Sequence, residues 1–450
     1  MALETVADAP TTTWTRDRLI ALGVFVFCLG TAVSLAWGFA VHSAPWSDYV
    51  GYYGAAAGLA TGQGYLLRGV PSALYPAGYP LFLAPLFAAF GVSMTVVKVS
   101  AALLHGLSAV LGLAVAWRLM RRPWVAITAG VAIAIWPDLV FYTGESASEN
   151  LFIPLLLGAL LVLALWTEDR RLRWAFVAGA LLGAAVLTRV TAEGLTVLFP
   201  LAMLLLERSR RGLYAAGLLV LGCVVVLSPW VVRNAIVLGS PVISTNGGAN
   251  MLMGNSRLAE GGYGNAALQP AIKVKVPSDE IVADRTYTKR AITWMMANPG
   301  GILRRVPLKA RRLFQTEWIV SFQTIAYQRW EAQFNPAVHG GPVALSGLET
   351  HVIALATRYQ GITQVERRIL ALLSVAACFV AYRRRDAGAV WMLIVFGYWM
   401  FVHVTIGYGA ARYLIGVFPV MLLLSIYVLD GLLDLFVSTK PASEPSVLAA

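Results

Sequence analysis

Apolar runs of about 20 residues recur along most of this chain, which is the length a helix needs to cross the hydrocarbon core of a bilayer. Short clusters of arginine separate these runs. Of the 450 residues, 58% are hydrophobic and only 13% are charged, whereas soluble domains carry about 25% charged residues. The sequence therefore predicts an all-α polytopic membrane protein, whose solvent for most of its surface is the lipid bilayer.

The net charge of +12 does not indicate nucleic-acid binding, because most arginines lie between apolar spans. Arginine in short loops marks the cytoplasmic side of a membrane protein. The three cysteines, Cys28, Cys223 and Cys378, each lie inside an apolar span. Their spacing predicts neither a disulfide framework nor a metal cluster.

Placing every basic cluster on the cytoplasmic side gives about ten transmembrane helices. The predicted spans are residues 19–41, 96–119, 124–142, 151–166, 174–187, 193–206, 213–232, 367–382, 389–405 and 413–429. The apolar run Pro80–Phe90 is too short to cross, so we expect a half-inserted or interfacial helix there.

We divide the chain into five predicted parts. They are a disordered cytoplasmic tail (1–15), an N-terminal transmembrane module (16–232) with a first outer loop (42–79), an outer-face segment (233–366), C-terminal transmembrane helices (367–430) and a cytoplasmic tail (431–450). Within the outer segment, Ser240–Tyr263 has a turn-like composition. Asp279–Gln328 reads as helix, with breaks at Asn298–Gly300 and near Pro307. The basic second half of that helix would lie on a membrane surface or form a solvated face.

The first outer loop is polar and aromatic, although it lies between apolar spans. Ser47 is expected to cap a short helix that begins at Asp48. Asp48 is followed by several tyrosines and by the run Tyr75–Pro80. An acid in such a loop, held against a membrane body, is a candidate for chemistry. The alternative is an acid that only favours the dipole at the start of the short helix.

Four separated stretches resemble the polytopic glycosyltransferases that use polyprenyl-phosphate sugars, the GT-C class. The resemblance is strongest to the bacterial family related to protein O-mannosyltransferases and to the lipid A aminoarabinose transferase. The four stretches are Asp48–Tyr49 with Tyr75–Phe82, Ser148–Phe152 with Leu187–Arg189, Trp230–Asn234 through Asn255, and Ala410–Ile415 before Pro419.

The resemblance implies that a sugar moves from a polyprenyl-phosphate donor to a cell-envelope lipid, glycan or protein acceptor, with inversion. It implies a site on the outer face of a bacterial plasma membrane, with Asp48 as the catalytic carboxylate. The aminoarabinose transferases carry a Lys-Pro-Pro run where this chain has Tyr75-Pro76-Ala77. That departure argues against aminoarabinose as the substrate.

The other predicted site residues fall into two groups. Donor phosphate contacts are expected from Arg412, Arg233 and Arg68, and sugar or acceptor contacts from Glu149, Tyr49, Tyr79, Asn246 and Asn250. A guanidinium suits bidentate binding of phosphate oxygens, and amide side chains suit sugar hydroxyls. Glu149 could equally be solvated or hold a metal, and the two asparagines could belong to a plain turn. No cofactor is predicted, and a divalent metal is left open.

Two further charge pairings are expected from the sequence. Arg189 and Glu193 lie four residues apart, which places them on one face of a helix as a neutralising pair. A role in binding phosphate or sugar is the alternative. Asp138, within the third span, is a candidate partner for an intramembrane arginine. Two rival functions stay open, a lipid-linked saccharide transporter or flippase and a non-catalytic envelope scaffold.

Overall fold

The computed structural model describes residues 16–263, 279–334 and 345–438. In these ranges the protein is a helical bundle with one short antiparallel hairpin, β1 (Leu66–Leu67) and β2 (Val70–Pro71). The helices are α1 (Arg16–Ala40), α2 (Asp48–Ala60), α3 (Gly78–Phe90), α4 (Met94–Met120), α5 (Pro123–Ile135), α6 (Pro137–Tyr142), α7 (Glu149–Asp169), α8 (Leu172–Thr188), α9 (Leu195–Leu206), α10 (Arg210–Leu238), α11 (Gly247–Gly254), α12 (Glu280–Ala297), α13 (Pro299–Leu313), α14 (Ile319–Phe334), α15 (Gly347–Arg384), α16 (Val390–Phe401) and α17 (Phe418–Ser438). The predicted all-α class is confirmed.

The predicted multi-pass character is also seen in the helix lengths. Within the described ranges, five helical segments are long and apolar enough to cross a membrane, namely α1, α4, α7, α10 and Ala411–Asp434. Five shorter apolar segments accompany them, namely α3, α5, α8, Val190–Leu206 and Val390–Ile406. The 13-residue α3 matches the short helix expected at Pro80–Phe90. The chain is thus a multi-pass membrane protein.

Several local predictions were wrong. Ser47 does not cap α2, because its backbone has a φ of 51° and its side chain makes no capping hydrogen bond. Pro307 lies inside α13 and does not break it. The third span is divided at Trp136, since the following proline disfavours helical geometry in the residue before it. Helix α15 begins at Gly347 and has 38 residues, so it starts well before the predicted span at 367.

The two predicted tails are described only in part. Helix α17 continues to Ser438, so residues 431–438 of the predicted C-terminal tail are helical. The predicted tail 1–15 and residues 439–450 lie outside the described residues. The turn-like region Ser240–Tyr263 contains the short helix α11.

The arginines between spans gather at one end of the bundle. Arg118 binds Glu168 at 2.9 Å, and both Arg122 and Arg384 bind Asp430, at 2.9 and 2.8 Å. Glu168 is next to the last residue of α7, about 30 Å along the helix from its first residue at 1.5 Å per residue. The first residue of α7 is Glu149, so the basic end and the end that carries Glu149 are opposite.

Candidate active site

At the end of the bundle that carries Glu149 lies a cavity of about 600 Å³, within the size range of ligand pockets. Its walls come from the first outer loop, the turn after α8, helices α11 and α12, and residues 402–413. Parts of the chain that are far apart in sequence therefore line one cavity.

Asp48 borders this cavity at the start of α2, with 37% of its side chain exposed. Tyr75 donates its hydroxyl to Asp48 Oδ1 at 3.1 Å. This contact depends on Gly51, because a Cβ there would lie 2.5 Å from the Tyr75 ring. Burial, followed by the nearby Asp48 carboxylate, raises the pKa of Tyr75 above its usual value, so the phenol stays a proton donor to Asp48.

Arg412 joins Asp48 to a second acid. Its Nη1 donates to Asp48 Oδ2 at 2.9 Å, and its Nε donates to Glu149 Oε1 at 2.8 Å. The guanidinium also lies over the Tyr49 ring, 4.7 Å from the ring centre, a cation–π contact. The structure thus brings together three predicted site residues, Asp48, Glu149 and Arg412.

Arg189 completes the set on the far side of Glu149. Its Nη1 lies 2.6 Å from Glu149 Oε1, so the predicted pair with Glu193 is wrong. Arg189 is 8% exposed, yet its Nε–H has no hydrogen-bond partner among the described residues. We call Asp48, Arg412, Glu149 and Arg189 the charge network. It holds two acids and two arginines, and it keeps one buried donor unused.

The other residues predicted to bind the sugar or the acceptor fall into two groups, those that line the cavity and those that are fully buried. Asn246 and Asn250 line the cavity. Tyr49 and Tyr79 are fully buried, and neither hydroxyl has a partner among the described residues.

Arg233 and Arg68 are absent from the described residues that line the cavity. Arg233 donates to the carbonyls of Ser72 and Tyr65 at 3.0 and 3.1 Å, and stacks on Trp230. Arg68 is exposed on the hairpin with a φ of 52°. The geometry gives Arg233 a role in holding the first outer loop.

Sequence reasoning missed one wall of the cavity. Asp284 and Thr288 of α12 also line the cavity. Their spacing of four residues on a predicted helix was a usable signal, because it places two polar groups on one face. Burial raises the pKa of Asp284.

Lys309 was missed for a different reason, since it appeared to be one of many basic residues on α13. It is fully buried, and its Nζ donates to the carbonyl of Thr405 at 2.8 Å and to Asn255 Oδ1 at 3.0 Å. Asn255 donates in turn to the carbonyl of Ile406 at 2.5 Å. These bonds satisfy carbonyls at the end of the π-helical turn Val402–Ile406. Lys309 therefore ties the outer segment to the stretch that carries Arg412, and its burial lowers its pKa to about 7.

Glu145 lies in the loop between α6 and α7, fully buried. Neither of its carboxylate oxygens has a hydrogen-bond partner among the described residues. Burial raises its pKa to about 8, against smaller opposing effects of the nearby Trp46 side chain and then of Lys98. Unlike Glu149, it has no arginine ion-pair partner among the described residues. In the described part of the chain, no group of three or more His, Cys, Asp or Glu side chains could hold a metal ion.

Part of this chain, including some residues of the site, matches the model of a known protein family. Residues 75–232 match the model of the family described as dolichyl-phosphate-mannose-protein mannosyltransferase. The matched stretch contains Tyr75, Glu149 and Arg189 but neither Asp48 nor Arg412. No curated protein gives a significant match.

Among solved structures, an oligosaccharyltransferase from Archaeoglobus fulgidus, solved in complex with Zn and sulfate, superposes with a TM-score of 0.50 at 13% identity. The match covers 91% of this chain and 49% of that chain. The chain has a GT-C fold. The resemblance to that class seen in the sequence is confirmed.

Two further structures give weaker superpositions. The oligosaccharyltransferase AglB from Archaeoglobus fulgidus, in complex with an inhibitory peptide and a dolichol-phosphate, shares 12% identity over 92% of this chain and 51% of that chain, with a TM-score of 0.47. ArnT from Cupriavidus metallidurans, bound to undecaprenyl phosphate, shares 13% identity over 93% and 78% of the two chains, with a TM-score of 0.44. This chain spans about half the length of the archaeal oligosaccharyltransferases.

Proposed function

We propose that this protein is a membrane glycosyltransferase. It moves a sugar from a polyprenyl-phosphate donor to a cell-envelope lipid, glycan or protein acceptor, with inversion at the anomeric carbon. The observation that carries the proposal is the cavity in which the Asp48 carboxylate is paired with Arg412 and which Arg189 also lines. A base and a phosphate-binding group within one pocket are what transfer from a sugar phosphate requires.

In this reaction the acceptor hydroxyl oxygen attacks C1 of the sugar while the bond from C1 to the phosphate oxygen breaks. The hydroxyl proton goes to the Asp48 carboxylate, and the electron pair of the broken bond stays on the phosphate. Arg189 lines the cavity, and its Nε–H has no hydrogen-bond partner among the described residues, which supports a role in binding a phosphate oxygen. Arg412 supplies the second positive charge, since charge develops on the leaving phosphate.

The distribution of charge supports an assignment of the side of the membrane that the cavity faces. The arginine-rich end of the bundle and the cavity are at opposite ends of α7. Positive loops mark the cytoplasmic side, which supports a cavity that faces the periplasm or the exterior of a bacterial plasma membrane. A flippase would instead be expected to hold its substrate near the middle of the bilayer.

The test uses purified protein in liposomes with undecaprenyl-phosphate-linked mannose, glucose or galactose and an envelope extract as acceptor. We expect release of undecaprenyl phosphate together with transfer of the sugar for one of these donors. Asp48→Asn should lower the rate of transfer about 10²- to 10⁴-fold. The matched control is Asp279→Asn, because Asp279 caps α12 and asparagine caps a helix equally well.

Two outcomes would contradict the proposal. Wild-type turnover in Asp48→Asn would remove the assigned base. Movement of the intact lipid-linked sugar across the bilayer without any release of undecaprenyl phosphate would identify a transporter.

A further inference from the structure

The two sides of the cavity differ in how far their polar groups are already satisfied. In the charge network, the arginines and acids are bonded to one another. On the facing wall, built by α11 and α12, the side chains of Asn246, Asn250 and Thr288 make no hydrogen bond within the described residues. These half-buried side chains therefore line the cavity with unused hydrogen-bonding groups, which can bind the hydroxyl groups of a ligand.

The position of Asp284 on that wall is fixed by its neighbour. The backbone N–H of Gly248 donates to Asp284 Oδ1 at 2.6 Å. A Cβ at Gly248 would lie 2.3 Å from the Asp284 carbonyl oxygen and 2.6 Å from the Thr288 hydroxyl. Only glycine permits this approach of α11 to α12. One carboxylate oxygen is thereby held in place, while Oδ2 has no partner among the described residues.

Asp284 and Thr288 are one helical turn apart and therefore project on the same side of α12. A carboxylate oxygen accepts hydrogen bonds, and a hydroxyl both donates and accepts. This combination is complementary to two hydroxyl groups on one edge of a sugar ring. A uronic acid would meet repulsion from Asp284, because two carboxylates would face each other.

We propose that Asp284 and Thr288 form a hydroxyl-binding subsite that selects a neutral sugar and positions it between α12 and Asp48. The inference rests on the proposed function, because the sugar is the one carried by the lipid donor. It assigns donor specificity to the outer segment, whereas the chemistry belongs to the charge network.

The test compares two probes in detergent, undecaprenyl phosphate alone and undecaprenyl-phosphate-linked mannose, glucose or galactose. The ratio of the two dissociation constants measures the contribution of the sugar. We expect the best sugar to bind about 10- to 100-fold more tightly than the bare lipid, because hydrogen bonds to a charged group have that effect.

Asp284→Asn is designed to change one atom. The Gly248 N–H fixes the amide oxygen, so the amide NH₂ replaces the free Oδ2 and turns an acceptor into a donor. The variant should bring the ratio close to one and leave the affinity for bare undecaprenyl phosphate unchanged. Thr288→Val should lower the ratio by a smaller factor. The matched control is Thr286→Val, since Thr286 lies on the same helix but bonds only to the carbonyl of Val282.

Deoxy analogues of the preferred sugar identify the hydroxyl involved. An analogue that lacks it should bind wild type and Asp284→Asn equally well. The subsite is overturned if Asp284→Asn keeps the wild-type ratio, if it weakens both probes by the same factor, or if no sugar raises affinity in wild type. Failure of wild type to bind even bare undecaprenyl phosphate would instead reject the proposed function, and the subsite with it.

Discussion

The bundle contains two arrangements of acid and arginine that use the same residue types in different ways. The Asp138–Arg367 pair is almost completely buried, with side chains 1% and 0% exposed. Arg367 bonds to both oxygens of Asp138, at 3.0 and 3.3 Å, and to the carbonyl of Gln315. In the charge network, Arg412 and Asp48 remain 17% and 37% exposed to a cavity.

The two arrangements differ in how many of their hydrogen-bonding groups already have a partner. The guanidinium of Arg367 is bonded through all three nitrogens, so the pair is complete without a ligand. Arg189 keeps an unpartnered, buried N–H, which costs stability unless something binds there. Complete, inaccessible pairs are expected to stabilise one packing arrangement, whereas an incomplete network beside a cavity is expected to bind and react. Variants that separate activity from stability test this contrast.

The largest effect is expected for Asp48→Asn. Loss of the base should lower the rate of sugar transfer about 10²- to 10⁴-fold. The thermal unfolding temperature should change little, because a partly exposed ion pair contributes at most about 1 kcal/mol. Transfer assays and unfolding of the same detergent-purified sample measure both. A large fall in unfolding temperature would place Asp48 with the structural pair instead.

Arg367→Met should lower the stability of the fold strongly, whereas Asp48→Asn should not. It leaves Asp138 charged, buried and unpaired, which costs about 3–5 kcal/mol in the free energy of unfolding. The double variant Asp138→Asn/Arg367→Met removes both charges and should recover most of that loss. Chemical unfolding in detergent measures the difference. If the double variant were as unstable as the single one, the unpaired charge would not be the cause.

The sequence predicted the all-α membrane class, and it singled out three members of the charge network, because both leave local signals. Apolar length marks a span, and Asp48, Glu149 and Arg412 each lie in a recognisable motif. The partner of Arg189 could not be predicted in this way. Glu193, one helical turn away, was the nearest acid in the sequence, whereas its actual partner Glu149 belongs to another helix.

Two other features depend on long-range packing. Asp284 reaches the cavity only because Gly248 lets α11 and α12 approach closely. Arg233 was predicted to contact the donor phosphate, and in the structure it donates hydrogen bonds to two carbonyls of the first outer loop. Such contacts between distant segments leave no local pattern in the sequence.

A smaller effect is expected for Arg412→Lys, which keeps the positive charge but loses the planar guanidinium group. Arg412 reaches Asp48 and Glu149 through different nitrogens, and a single ammonium cannot reproduce that planar geometry. We expect kcat/KM for sugar transfer to fall about 10- to 100-fold, the worth of a hydrogen bond between charged groups. Arg210→Lys, exposed at the start of α10, is the control and should leave kcat/KM unchanged. An equal loss in both variants would argue against a specific role of the guanidinium.

The smallest effect concerns Glu145, which is buried like the members of the Asp138–Arg367 pair but has no arginine ion-pair partner in the part of the chain that the structure describes. Its pKa is raised from 4.5 to about 8 by burial, so the folded protein holds a proton that the unfolded chain releases above pH 4.5. Stability from the protonated carboxyl is therefore fully present below pH 4.5 and is lost as the pH rises to 8. Glu145→Gln, which imitates the protonated form, lacks this dependence.

The unfolding temperature of wild type minus that of the variant should fall between pH 5 and pH 8 and stay level above it. A difference that is constant with pH would mean that Glu145 is already ionised in the fold and that a partner compensates its charge, as Arg367 does for Asp138.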